Sequence, residues 1–147
     1  MEHEGYGDGT APGAGRCSVI ECWAFQIGMY FTHLRYGIHN SNGGNTEART
    51  WRRRLERDMA WTSSAGIRHI PYGWLWDVQD DNASNPANEV ENPLVTDRVS
   101  GITNAQILSV MNSNMVSMPQ MKTALAPFLP PSVSMSDYNL LSFPYGF

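Results

Sequence analysis

Between residues 18 and 37, SVIECWAFQIGMYFTHLRYG, apolar side chains recur at spacings of three and four: Ile20, Trp23, Ala24, Ile27, Tyr30, Phe31 and Leu34. On a 3.6-residue wheel they share an arc of about 120°, which predicts a helix with that arc as its core face. Ser18-x-x-Glu21 has capping-box spacing, so the helix is expected to begin at Ser18, while Arg35 and Gly37 suit a last turn and its stop. The opposite side holds Cys22, Phe25 and Met29 beside Glu21, Gln26, Thr32 and His33. A helix apolar nearly all round needs cover on two sides.

HNSNGGN, residues 39–45, reads as a loop, after which Asn45 or Thr46 can cap a second helix running to about Trp61. Ala48, Trp51, Leu55, Met59 and Thr62 share one face of it; Arg49, Arg53 and Arg57 form a stripe on another, with no acid on the stripe itself. Like charges one turn apart repel, so the stripe predicts an acidic partner supplied by another segment, another chain or a nucleic acid, with Trp61 placed to stack; a solvated face is the plain alternative. Residues 67–78 alternate. Ile70, Tyr72, Trp74, Trp76 and Val78 fall on one side, and His69, Pro71, Gly73, Leu75 and Asp77 on the other, which predicts an extended segment with one aromatic face. Pro71 and Gly73 argue for an edge strand, and no second run of similar quality is present to pair with it.

Further on, Thr103-x-x-Gln106 opens a helix over about 104–115 and Ser117-x-x-Gln120 a shorter one carrying Met118, Met121, Leu125 and Phe128, ended by prolines. Ser136-Asp137 can begin one more turn through Leu141. In the closing SFPYGF, Phe143, Tyr145 and Phe147 alternate around Pro144 and Gly146; they read as a docking tail, and a tail folded onto its own domain is equally economical. The expected fold is α+β and mainly helical: several short helices, one aromatic extended edge strand and long loops. The expected divisions are a flexible arm over 1–16, one small domain over 17–131 and the tail over 132–147.

Composition narrows the chemistry. The net charge of −4 opposes a generally basic coat, yet nine of the ten cations are arginine, with Lys122 the one lysine, which favours fixed contacts with carboxylate or phosphate. Cys17 and Cys22 fit neither a zinc knuckle nor a C-x-x-C pair. Five of the eight methionines lie between 111 and 135, which suits an adaptable core. Asp80, Asn82, Ser84, Asn88 and Glu91 occupy positions 1, 3, 5, 9 and 12 of a calcium-loop template, but Asn85 stands where its glycine belongs, and no metal is expected. His3 behind a terminal amine could hold Cu(II) or Ni(II), a match too short to carry weight. His33, His39 and His69 are scattered, and G-x-S-x-G, Walker and H-E-x-x-H patterns are missing. No catalytic residue and no cofactor is expected; were there an active site, Asp77, Asp80 and Asp81 beside the aromatic wall would supply its acids. Neither a signal peptide nor a membrane span is expected, and no small-molecule ligand.

These patterns lead to the expectation of a non-enzymatic structural or cementing subunit of a larger assembly, with a minor capsid or virion-associated protein as the preferred instance. It would sit in a virion, or otherwise inside the cell, in cytosol or nucleus. Its partners would be other protein subunits, met through Tyr72, Trp74, Trp76, Phe143, Tyr145 and Phe147. The alternative is a nucleic-acid-binding accessory protein using Arg49, Arg53, Arg57 and Trp61.

Overall fold

The computed structural model describes residues 10–36, 61–62, 68–80 and 94–147. These form a mainly helical protein. Helix α1 spans Ala14–Tyr36, α2 is a single turn over Trp74–Asp77, α3 spans Asn104–Val110, α4 Met118–Leu125 and α5 Met135–Ser142. 3₁₀ turns at Ala126–Phe128 and Phe143–Tyr145 extend α4 and α5. Strand β1, Trp61–Thr62, pairs antiparallel with β2, Arg68–Ile70, through an irregular register.

Two local codes are realised as written. The Thr103 hydroxyl accepts from the Gln106 amide at 3.2 Å while the Gln106 side chain takes the Thr103 N–H at 2.7 Å, a complete capping box. Ser117 caps α4 through the Gln120 amide. Both pairs sit within four consecutive residues, so neither depends on distant packing to form.

Other expectations are corrected. Helix α1 starts one turn before Ser18: the chain turns at Gly13 (φ +88°), and the Cys17 amide already donates to the Gly13 carbonyl at 3.0 Å. Ser18 is therefore an interior residue, buried, its hydroxyl bonded to Cys22 rather than to an orphan amide. The first turn of α1 thus lies inside the span 1–16 that the sequence assigns to an arm. The aromatic edge strand is absent over most of its expected length. Of its described residues only 68–70 are extended; Pro71 and Gly73 make the turn into α2, with the Trp74 and Asp77 amides donating to their carbonyls. Ile70, Trp74 and Val78 stand four apart, a spacing that satisfies both the strand period and the helix period. Leu75, which only the helical pattern places inside, is fully buried, whereas Tyr72 and Trp76 are half-buried.

The core joins the five helices, β2 and the segment 94–103. Val19 and Cys22 of α1, Ile70, Trp74, Leu75 and Val78, then Val95, Val99, Ile102 and Ile107, Met115, Met118, Met121 and Leu125, and finally Tyr138, Leu141 and Tyr145 form one buried cluster. Segment 94–103 is tied to α2 by amides of Gly101 and Ile102 that donate to the Gln79 and Val78 carbonyls. Residues 132–147 are part of this core. The Trp74 indole donates to the Ser142 hydroxyl at 3.1 Å and stacks edge-on against Phe147 at 5.1 Å between ring centres. Lys122 holds the same end down by donating to the Phe147 carbonyl at 3.4 Å.

Candidate protein-protein interface

Helix α1 has two faces of different character. Gly15, Ser18, Val19, Cys22, Gln26 and Met29 lie on one arc, and all but the half-buried Gly15 are buried. Arg16, Ile20, Ala24, Gly28, Phe31 and Arg35 lie on the opposite arc and are exposed, Ile20 at 51% and Phe31 at 61%, with half-buried Ile27 among them. Most of the arc that periodicity marks as the core face therefore points outward, with half-buried Trp23 at its edge packed against the core. Small residues decide the rotation: Gly15, Ser18 and Cys22 let the backbone come close, so that a Cβ on Gly15 would collide with the Val116 carbonyl. A surface of isoleucine, tryptophan and phenylalanine could not approach so near.

A buried polar residue fixes the same choice. Gln26, fully buried, donates through Nε2 to Gln79 Oε1 at 2.7 Å, and Gln79 passes its own Nε2 to Asn104 Oδ1 at 2.8 Å. Turning α1 over would take the Gln26 donor away from Gln79 Oε1 and leave that part-buried oxygen without it, at about 1–3 kcal/mol. Burial also pushes the Cys22 thiol well above its usual range, with the Ser18 hydrogen bond opposing the shift. Ser18, Cys22 and Gln26 are thus shut away from solvent.

The residues that the sequence singles out divide sharply. Trp74 and Tyr145 are core residues. Tyr145 donates its hydroxyl to Asp77 Oδ2 at 2.5 Å, so Asp77, fully buried, is a structural acid rather than a solvent-facing one. Trp76 and Phe147 are half-buried, and Tyr72 lies 5.2 Å from Phe25, ring centre to ring centre. Phe143 alone of the six aromatics stands free, 81% exposed, with exposed Leu140 beside it on α5. Arg49, Arg53 and Arg57 lie outside the described residues, as do Asp81 and the calcium-template positions 82–91; of Trp61 only the backbone, in β1, is described. The surface that sequence reasoning missed is the outward arc of α1, and the overlooked signal was the run of small residues Gly15, Ser18 and Cys22 one or two positions off the hydrophobic stripe.

Chemistry is scarce elsewhere. Among the described residues no three His, Cys, Asp or Glu side chains gather to hold a metal ion, and no helix is long and apolar enough to cross a membrane. A cleft of about 170 Å³ lies between the start of α1, Pro71, the start of α4 and residues 145–147. Its one titratable lining group is Tyr145, whose hydroxyl is held by Asp77. No protein-family model, curated protein or solved structure matches this chain.

Proposed function

We propose that this protein is a non-enzymatic structural subunit that joins a larger assembly through the outward face of α1, with Phe143 and Leu140 as a second, smaller contact. The observation that carries the reading is the row of exposed Ile20, Ala24 and Phe31 with half-buried Ile27, spaced four, three and four apart on the longest of the described helices. Large apolar side chains in a continuous row are costly to leave in water, whereas singly scattered ones are ordinary. The 4-3-4 spacing is that of helix-on-helix seams. A structural role also suits the burial of Asp77 and Cys22, which removes these two groups from contact with a substrate. A virion shell, with the chain as a minor capsid component, is the setting we favour for such a subunit.

The test is sedimentation of the native assembly from the source, with this chain followed by antibody. Ile20→Ser combined with Phe31→Ser is expected to move the chain from the fast-sedimenting fraction to the free pool while its circular dichroism stays unchanged. Full retention of the double variant in the fast fraction refutes the reading.

A further inference from the structure

The outward face of α1 is ordered along its length. Arg16 and Arg35 are both exposed, stand on the same arc and mark its two ends, about 28 Å apart at 1.5 Å per residue. Between them the arc holds Ile20, Ala24, Ile27, Gly28 and Phe31, with half-buried Cys17 at its start and, among the described residues, no charged side chain. Among the described residues neither arginine is in an ion pair; Arg16 is exposed and spends one donor on the Ser113 carbonyl at 3.0 Å.

Gly28 adds an independent constraint. It lies inside a 23-residue helix, where glycine costs about 1 kcal/mol relative to alanine. A Cβ placed on it would meet nothing within 4 Å, so the protein's own packing has no need of the missing side chain. A second helix does. With Ala24 one turn away, Gly28 forms a saddle between Ile20 and Phe31 that admits a partner axis at roughly 8 Å, and the 4-3-4 spacing selects the shallow crossing of about 20° that keeps two helices in contact along their length. At that crossing the side chains of both terminal arginines still reach the partner.

We infer that this face receives an α-helix of a different chain, apolar along its contact stripe and carrying a carboxylate at each end to meet Arg16 and Arg35. The inference rests on the structural-subunit reading and names the partner that reading leaves open. Charge disfavours a second copy of this chain. A parallel pair sets Arg16 on Arg16 and Arg35 on Arg35, and an antiparallel pair sets Arg16 on Arg35, so every register that aligns the apolar rows brings cations together. An acidic helix converts both ends to attraction, and the fork of each guanidinium can grip a carboxylate through two N–H groups.

The experiment uses the full chain and two stapled helical peptides with one Leu/Ala contact stripe, one ending in Glu at both ends and the other in Lys. Fluorescence anisotropy is expected to give at least tenfold tighter binding of the Glu peptide, a gap that narrows as salt rises. Arg16→Glu with Arg35→Glu should invert the preference. Gly28→Gln should weaken the Glu peptide at least tenfold without lowering the melting temperature. Equal binding of the two peptides, or indifference to Gly28→Gln, overturns the inference. A wild-type dimer that Ile20→Ser and Phe31→Ser dissolve makes the occupant a second copy; that result overturns the acidic helix and leaves the structural-subunit reading standing. A monomer that binds neither peptide, with Ile20 and Phe31 protected from hydroxyl-radical labelling, sinks both.

Discussion

Removing one oxygen atom should test how the end of the chain is held. In Tyr145→Phe the ring remains in its pocket, so no cavity opens, and what is lost is the hydrogen bond to Asp77 Oδ2. Because Asp77 is fully buried, water cannot step in as the replacement donor. A hydrogen bond to a carboxylate contributes about 1.5–3 kcal/mol, so a loss near 2 kcal/mol is expected. For a chain of this length that corresponds to a melting temperature lower by about 4–8 °C. Urea and thermal unfolding followed by tryptophan fluorescence measure it, with Trp74 reporting from beside the site. Asp77→Asn and the double variant complete a cycle, which should return a coupling of about 1 kcal/mol or more between the two side chains. Phe143→Ser, two residues away and exposed, is the control and should change stability by less than about 0.5 kcal/mol. If Tyr145→Phe is as silent as Phe143→Ser, residues 143–147 are not anchored in the core and the placement argued above fails.

The same substitution should act with opposite sign at two glycines of α1. Gly15→Ala drives a methyl into the Val116 carbonyl and should destabilise by about 1–3 kcal/mol, whereas Gly28→Ala, with open space around it, should stabilise by about 1 kcal/mol; urea midpoints decide. Thiol labelling at pH 8 should modify half-buried Cys17 in the native protein and reach Cys22 only in denaturant. Burial raises the proton affinity of both Cys22 and Tyr138, so the folded state holds these protons more tightly than the unfolded one. Their contribution is complete below the unfolded thiol value of about 8.5 and is lost as pH rises beyond it, partly offset by Lys122, which burial shifts the other way. Melting temperature should accordingly fall on the alkaline side, with a shallower slope in Cys22→Ala.

Legibility in the sequence followed the range of the interaction involved. The caps at Thr103 and Ser117 were readable because donor and acceptor lie three residues apart. Ser18-x-x-Glu21 has the same form and misled, since a glycine turn at Gly13 had already started the helix and a capping pattern inside a helix has no orphan amide to serve. The rotation of α1 was unreadable from apolar count alone. Large side chains outscore small ones on any hydropathy scale, while close packing prefers the face of Gly15, Ser18 and Cys22, and the Gln26–Gln79–Asn104 amide chain is a relation among residues 26, 79 and 104 that no local window contains. The aromatic segment failed for a different reason: residues four apart fit two periods at once, and only the burial of Leu75 against the partial exposure of Tyr72 and Trp76 separates them. Of the aromatics assigned to a partner, Trp74 and Tyr145 prove to be the fold's own contents, which is where large rings usually go.

The position of Trp74 also sets a clock. Its neighbours Tyr138, Ser142 and Phe147 are encoded 64 to 73 residues downstream, and a ribosome adding about 5–20 residues per second needs roughly 4–15 s to reach them. Throughout that interval the indole lacks these three neighbours, and α1 presents an apolar surface whichever way it turns. The nascent chain is therefore stickiest before residues 138–147 are made, so the abundance of this protein in a cell should depend on what shields it during those seconds as much as on its final stability.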